Sequence, residues 1–152
     1  MNRFLLFFIL PAVALAMCAC DDDSSDLDTT LFKGQWEVIE PQSEEFQYFY
    51  DFTTDSENTW SWGEAITFWQ FAGGMIVNDK QYDWHVDDPD NSDPVYLDLV
   101  LTGEINSVAD GSENRRYVVK SLSATEMVLV NASYSSDMSR LVLKRVDSPI
   151  RH

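Results

Sequence analysis

Between Leu31 and Val146 the chain has no long stretch with the 3.6-residue period of an amphipathic helix. Apolar and polar residues alternate there instead, in short runs rich in aromatic and β-branched side chains. Successive side chains of a strand point to opposite faces, so such runs specify sheet with one apolar face. In Gly34–Glu40, Trp36 and Val38 share one face while Gln35 and Glu37 take the other. Phe46, Tyr48, Tyr50 and Phe52 alternate with Gln47, Phe49 and Asp51, although Pro41-Gln42-Ser43-Glu44 also fits the cap of a short helix. Ala65–Phe71 and Met75–Val77 flank Gly73-Gly74, a hairpin signal because glycine accepts the positive φ of tight turns. Gln81–Val86, Val95–Thr102, Arg116–Leu122, Glu126–Val130 and Arg140–Val146 follow. They are separated by Asp87–Pro94, Asn106–Asn114, the short link Ser123-Ala124-Thr125, and Asn131–Ser139.

Eight or nine strands in hairpin succession predict an all-β fold. A single up-and-down antiparallel β-barrel of about eight strands is favoured, because closure removes exposed sheet edges. A β-sandwich satisfies the same pattern and stays open as the alternative. No internal repeat or domain boundary interrupts residues 31–146, so one domain is expected, followed by a tail at 147–152.

The first 30 residues read differently. Arg3 is followed by the apolar run Phe4–Met17, interrupted by Pro11. At 14 residues this run is shorter than the ~20 needed to span a bilayer, and its layout is that of a secretory signal. It ends in Cys18-Ala19-Cys20. A small residue before a cysteine resembles a bacterial lipoprotein signal, which makes 1–19 the signal peptide and Cys20 the lipidated residue. More than one acyl chain there is enough for stable anchoring. Residues 20–30 then form an acidic tether, opening with Asp21-Asp22-Asp23. That acid run resembles the surface-export signal of lipoproteins in Bacteroidota, which implies an outer-membrane lipoprotein exposed at the cell surface. Asp28-Thr29-Thr30 matches the short O-glycosylation sequon of the same phylum.

Gly34-Gln35-Trp36 at the head of the first strand resembles the G-x-W that opens lipocalins. Ile66-Thr67-Phe68 before Gly73-Gly74, the hairpin Leu122-Ser123-Ala124-Thr125-Glu126-Met127, and the closing Leu141-Val142-Leu143-Lys144-Arg145 continue the likeness. Their order and spacing are similar to those of the short lipocalin-like domains of Bacteroidota lipoproteins. The resemblance implies an eight-stranded barrel binding a small, partly apolar ligand. It also implies structural roles for Gly34 and Trp36, with Trp36 packed on Arg145 or Arg140. The chain departs from larger lipocalins in lacking a T-D-Y-type second motif and residues for a helix after the barrel, so the fold carries over further than the ligand.

Composition narrows the chemistry. With 26 acidic against 10 basic residues the formal charge is −16, which excludes nucleic acid as a partner. Two histidines, His85 and His152, and no recognisable nucleophile motif leave catalysis without its parts, so no enzyme and no cofactor are expected. Asp87–Asp93 offers oxygen ligands suited to Ca²⁺, but Asp93 replaces the glycine of an EF-hand loop and Leu99 its closing glutamate. A solvated acidic loop is the favoured reading, and no metal site is assigned. Among 5 Trp, 6 Tyr and 9 Phe, the candidates for lining a site are Trp60, Trp62, Trp69, Tyr82 and Trp84. Turned inward they suit a small apolar molecule. Turned outward in a row they suit a glycan or a protein partner. A barrel filled by its own aromatics would bind neither.

Overall fold

The computed structural model describes residues 27–53, 61–87, 94–104, 114–132 and 140–152. The signal, Cys20 and the tether up to residue 26, Trp60, and 88–93 of the acidic loop lie outside the described residues, while 27–30 of the tether are described and Thr29-Thr30 open a 3-10 helix. A short 3-10 helix, η1 (Thr29–Phe32), precedes eight strands: β1 (Gly34–Glu40), β2 (Phe46–Phe52), β3 (Trp62–Phe71), β4 (Ile76–Asp87), β5 (Tyr96–Glu104), β6 (Arg115–Leu122), β7 (Glu126–Asn131) and β8 (Arg140–Arg145). Each strand pairs antiparallel with the next, and β8 returns to β1, closing the barrel. That last pairing decides between barrel and sandwich. Trp36 pairs with Arg145 and Val38 with Leu143, so no strand edge is left open.

Of two elements, one follows its alternating pattern and the other departs from expectation. Phe46–Phe52 is strand and the helix alternative at Pro41–Glu44 does not form, because Phe46↔Phe71 through Phe52↔Ala65 pair without a break. Ile76-Val77 and Gln81–Val86 belong to one strand, not two, with Met75 just before it. The polar Asn78-Asp79-Lys80 between them looks like a turn in sequence. In the barrel it is a bulge, where the Lys80 amide donates to Thr67 Oγ1 at 3.2 Å.

The interior is stratified. At one end Phe32 from η1 plugs the barrel against Trp84 and Phe52, with ring centroids 5.5 and 6.0 Å apart. Leu97, Leu99, Met127, Leu129 and Leu143 fill the space beside them and are fully buried. This closed end is latched by Arg145. Its guanidinium lies 4.2 Å over the Trp36 ring and donates to the carbonyls of Lys33 (2.7 Å), Ala124 (2.6 Å) and Leu31. Trp36 Nε1 in turn donates to Phe32 O at 2.8 Å. Gly34 has φ +112°, and a Cβ there would sit 2.9 Å from Arg145 Nη1. Of the two arginines the resemblance offers to Trp36, Arg145 is the one at its ring. Arg140 sits at the other end of β8 and pairs with Glu40 at 3.3 Å.

Outside the barrel, Phe49 and Phe68 stack across β2 and β3 with centroids 4.9 Å apart. Residues 147–152 fold back over them. Gln35 bonds both the amide and the carbonyl of Ile150 at 2.7 Å, and the His152 ring lies 4.4 Å from Phe68. Among the described residues no helix is long and apolar enough to cross a membrane.

Candidate functional site

Opposite the plug, the barrel stays open. A cavity of about 640 Å³ enters there, lined by residues of β1 to β4, β6 and β8 and by the turn Pro41–Ser43. That volume lies within the usual ~300–1,000 Å³ of small-molecule sites. The alternation of each strand decides what faces in. Tyr48 and Tyr50 of β2, Trp69 of β3, Arg115 and Tyr117 of β6, and Leu141 of β8 are inward positions that border the cavity. The continuous β4 carries Asp79 and Lys80 to the same wall.

The walls divide by chemistry. Phe46, Trp69 and Leu141 offer apolar surface, with Phe46 and Trp69 ring centroids 5.8 Å apart. The floor is polar. Arg115 Nη1 donates to the Tyr50 hydroxyl at 3.0 Å, its guanidinium lies 5.6 Å from the centroid of Tyr82, and the Tyr117 hydroxyl joins the same group. Asp79 Oδ2 accepts from Tyr48 at 3.0 Å and from Thr67 at 3.5 Å. Burial, with Tyr50 adding to it, holds the Tyr48 and Tyr117 hydroxyls well above the ordinary tyrosine range. Burial works to lower the Arg115 pKa, but the phenolic oxygens of Tyr50, Tyr117, Tyr48 and Tyr82 more than offset it and the net direction is up. At neutral pH Arg115 is therefore a cation, and Tyr48 and Tyr117 keep their protons.

The aromatic candidates separate. Trp69 lines the cavity. Tyr82 and Trp84 point inward but lie beneath it in the filled core, where Trp84 Nε1 donates to Thr53 O at 2.9 Å. Trp62 stands on the outer surface near the closed end, 44% exposed. Phe46, Tyr48, Tyr50, Asp79, Arg115 and Tyr117 belong to the cavity and were not singled out by sequence. The signal for Tyr48 and Tyr50 was present in their alternation. Arg115 gave none, because a charged residue at a strand start reads as solvent-facing.

On the outer face, His85, Asp87 and Asp98 bring their ligand atoms within 4.8 Å of one another. Arg116 reaches the same carboxylates, at 2.6 Å from Asp87 and 3.3 Å from Asp98. A guanidinium in that place already supplies the positive charge that a metal ion would bring.

No protein-family model and no curated protein matches the chain. Among solved structures the barrel is similar to the crystal structure of a lipocalin-like protein from Bacteroides uniformis. The TM-score is 0.46 and the identity 11%, covering 76% of this chain and 99% of that one.

Proposed function

We propose that this chain is a lipid-anchored protein of the outer membrane, exposed at the cell surface, whose barrel binds a small, partly apolar molecule in its open end. The observation that carries the reading is the cavity itself: about 640 Å³, with aromatic and aliphatic walls and a few convergent polar groups on the floor. We read its role as binding, not catalysis, since among the described residues its lining holds neither a histidine nor a cysteine to act as base or nucleophile. Anchoring rests on the apolar run ending at Cys20 and the acid run after it. Residue 27 and η1 enter at the plugged end, so a tether from Cys20 joins there and leaves the mouth at the far end.

The alternative, a glycan- or protein-binding accessory module, draws on the outward Trp62. The other described tryptophans among the candidates, Trp69 and Trp84, turn inward.

Native mass spectrometry of the protein purified gently from its own envelope tests the reading. A small adduct that is lost on denaturation is expected. A protein that stays bare after incubation with envelope lipid and glycan extracts would overturn it. Cys20→Ser should move the protein from the membrane fraction to the soluble one; retention in the membrane would remove the anchor.

A further inference from the structure

On the outside of the barrel, away from the cavity, one row of side chains crosses four strands. Trp62 of β3 pairs with His85 of β4, His85 with Asp98 of β5, and Asp98 with Arg116 of β6. Directly paired residues present their side chains on the same face of a sheet, and at ~4.8 Å between strands the row runs about 14 Å, the length of a short oligosaccharide. Asp87, two residues along β4 from His85, adds its carboxylate on the same face. The polar members hold one another in place. His85 Nε2 lies 3.1 Å from Asp87 and 3.6 Å from Asp98, Arg116 reaches both carboxylates, and its guanidinium lies 4.4 Å over the Tyr96 ring. Even so, Trp62 and the side chains of His85, Asp87 and Arg116 each keep nearly half of their surface open to solvent.

Three properties of the row select a ligand class. An exposed indole face takes up the positive edge of apolar C–H surface. Beside it, carboxylates accept hydrogen bonds, the guanidinium donates them and the imidazole can do either. Groups already immobilised by their neighbours lose little freedom when a ligand bonds to them. Two carboxylates faced by a guanidinium and an imidazole also come close to balance, so the row does not favour an ionic ligand over a neutral one. A pyranose ring meets all of this, with a C–H face and a rim of hydroxyls that both donate and accept.

We propose that this row is a binding platform for neutral oligosaccharides, one ring stacking on Trp62 and the hydroxyls of the next bonding His85, Asp98 and Arg116. It gives the accessory-module reading its ligand class and residues, rests on that reading, and does not depend on what the cavity holds.

The test is isothermal titration of the full-length protein, in a detergent that carries no sugar, with maltohexaose, xylohexaose, mannohexaose and chitohexaose, and with hexagalacturonate as the acidic probe. At least one neutral sugar should bind, and hexagalacturonate should bind more weakly. Trp62→Ala should lower the affinity about tenfold, while Trp62→Phe keeps a ring face and retains part of it. Asp98→Asn should weaken binding about threefold to tenfold, and it decides the matter if Trp62→Ala does not fold. An excess of 1-decanol, an uncharged probe for the cavity, should leave sugar binding unchanged. Displacement by 1-decanol, or binding untouched by Trp62→Ala and Asp98→Asn, would move sugar recognition off this row and overturn the platform while glycan binding itself stands. Tighter binding of hexagalacturonate would overturn the preference for neutral sugars. Binding of none of the sugars would overturn the glycan reading altogether and leave the cavity reading in place.

Discussion

Arg145 shows how much one side chain can hold. It joins η1, Lys33 just before β1 and the turn Ser123–Thr125 through three backbone carbonyls and covers Trp36. Arg145→Met should cost about 3 kcal/mol of stability, because it leaves carbonyls without a donor and removes charge-assisted hydrogen bonds. Denaturant unfolding measures this, and a loss below about 1 kcal/mol would show that water replaces the latch. Gly34→Ala should cost about 2 kcal/mol for the positive φ and the approach to Arg145. The tyrosines make a pH prediction. Tyr48 and Tyr117 hold their protons in the folded state well above the usual tyrosine range, whereas the unfolded chain releases them near pH ~10. Their contribution is thus complete below about pH 10 and is lost as the pH rises beyond it. Ultraviolet titration should show these two of the six tyrosines ionising only together with alkaline unfolding.

At the scale of elements, most of the barrel was legible because alternation is local. The period of two needs only neighbouring residues to be seen, and it placed β1, β2, β3, β5 and the last three strands to within a few residues. β4 escaped for a physical reason. Asn78-Asp79-Lys80 has turn-forming residues, but the hydroxyls of Tyr48 and Thr67 on β2 and β3 meet the Asp79 carboxylate and keep the strand whole. The segment 147–152 is a second such case. A polar chain end carries no periodicity, yet Gln35 bonds Ile150 in both directions and the segment covers the Phe49–Phe68 pair. Deleting 147–152 should destabilise the barrel by about 2 kcal/mol from the apolar area uncovered, and it should increase binding of a hydrophobic dye. Unchanged unfolding would mean the segment rests on the barrel without contributing.

The whole molecule sets an electrostatic condition on any anionic ligand. A chain of −16 repels it at long range. Salt screens that repulsion, since the Debye length falls from ~30 Å at 0.01 M to ~8 Å at 0.15 M. The association rate of decanoate should therefore rise a few-fold over that range, measured by stopped-flow tryptophan fluorescence. A falling rate would show that the local field at the mouth outweighs the net charge.

Most strands, their apolar faces and the all-β class are legible in the chain, because each is written in residues one or two apart. It also held the pieces of the Trp36–Arg145 latch in its first and last strands, where the resemblance paired Trp36 with Arg145 or Arg140. Which inward residues are core and which are cavity depends on contacts between strands far apart in the chain. Tyr82 and Tyr48 have the same alternation and the same chemistry, but Tyr82 lies in the filled core while Tyr48 borders the cavity. Arg115 owes its place to closure of the barrel: β6 turns it inward among tyrosines from β2 and β4, 65 and 33 residues away in sequence, a distance that no local pattern spans.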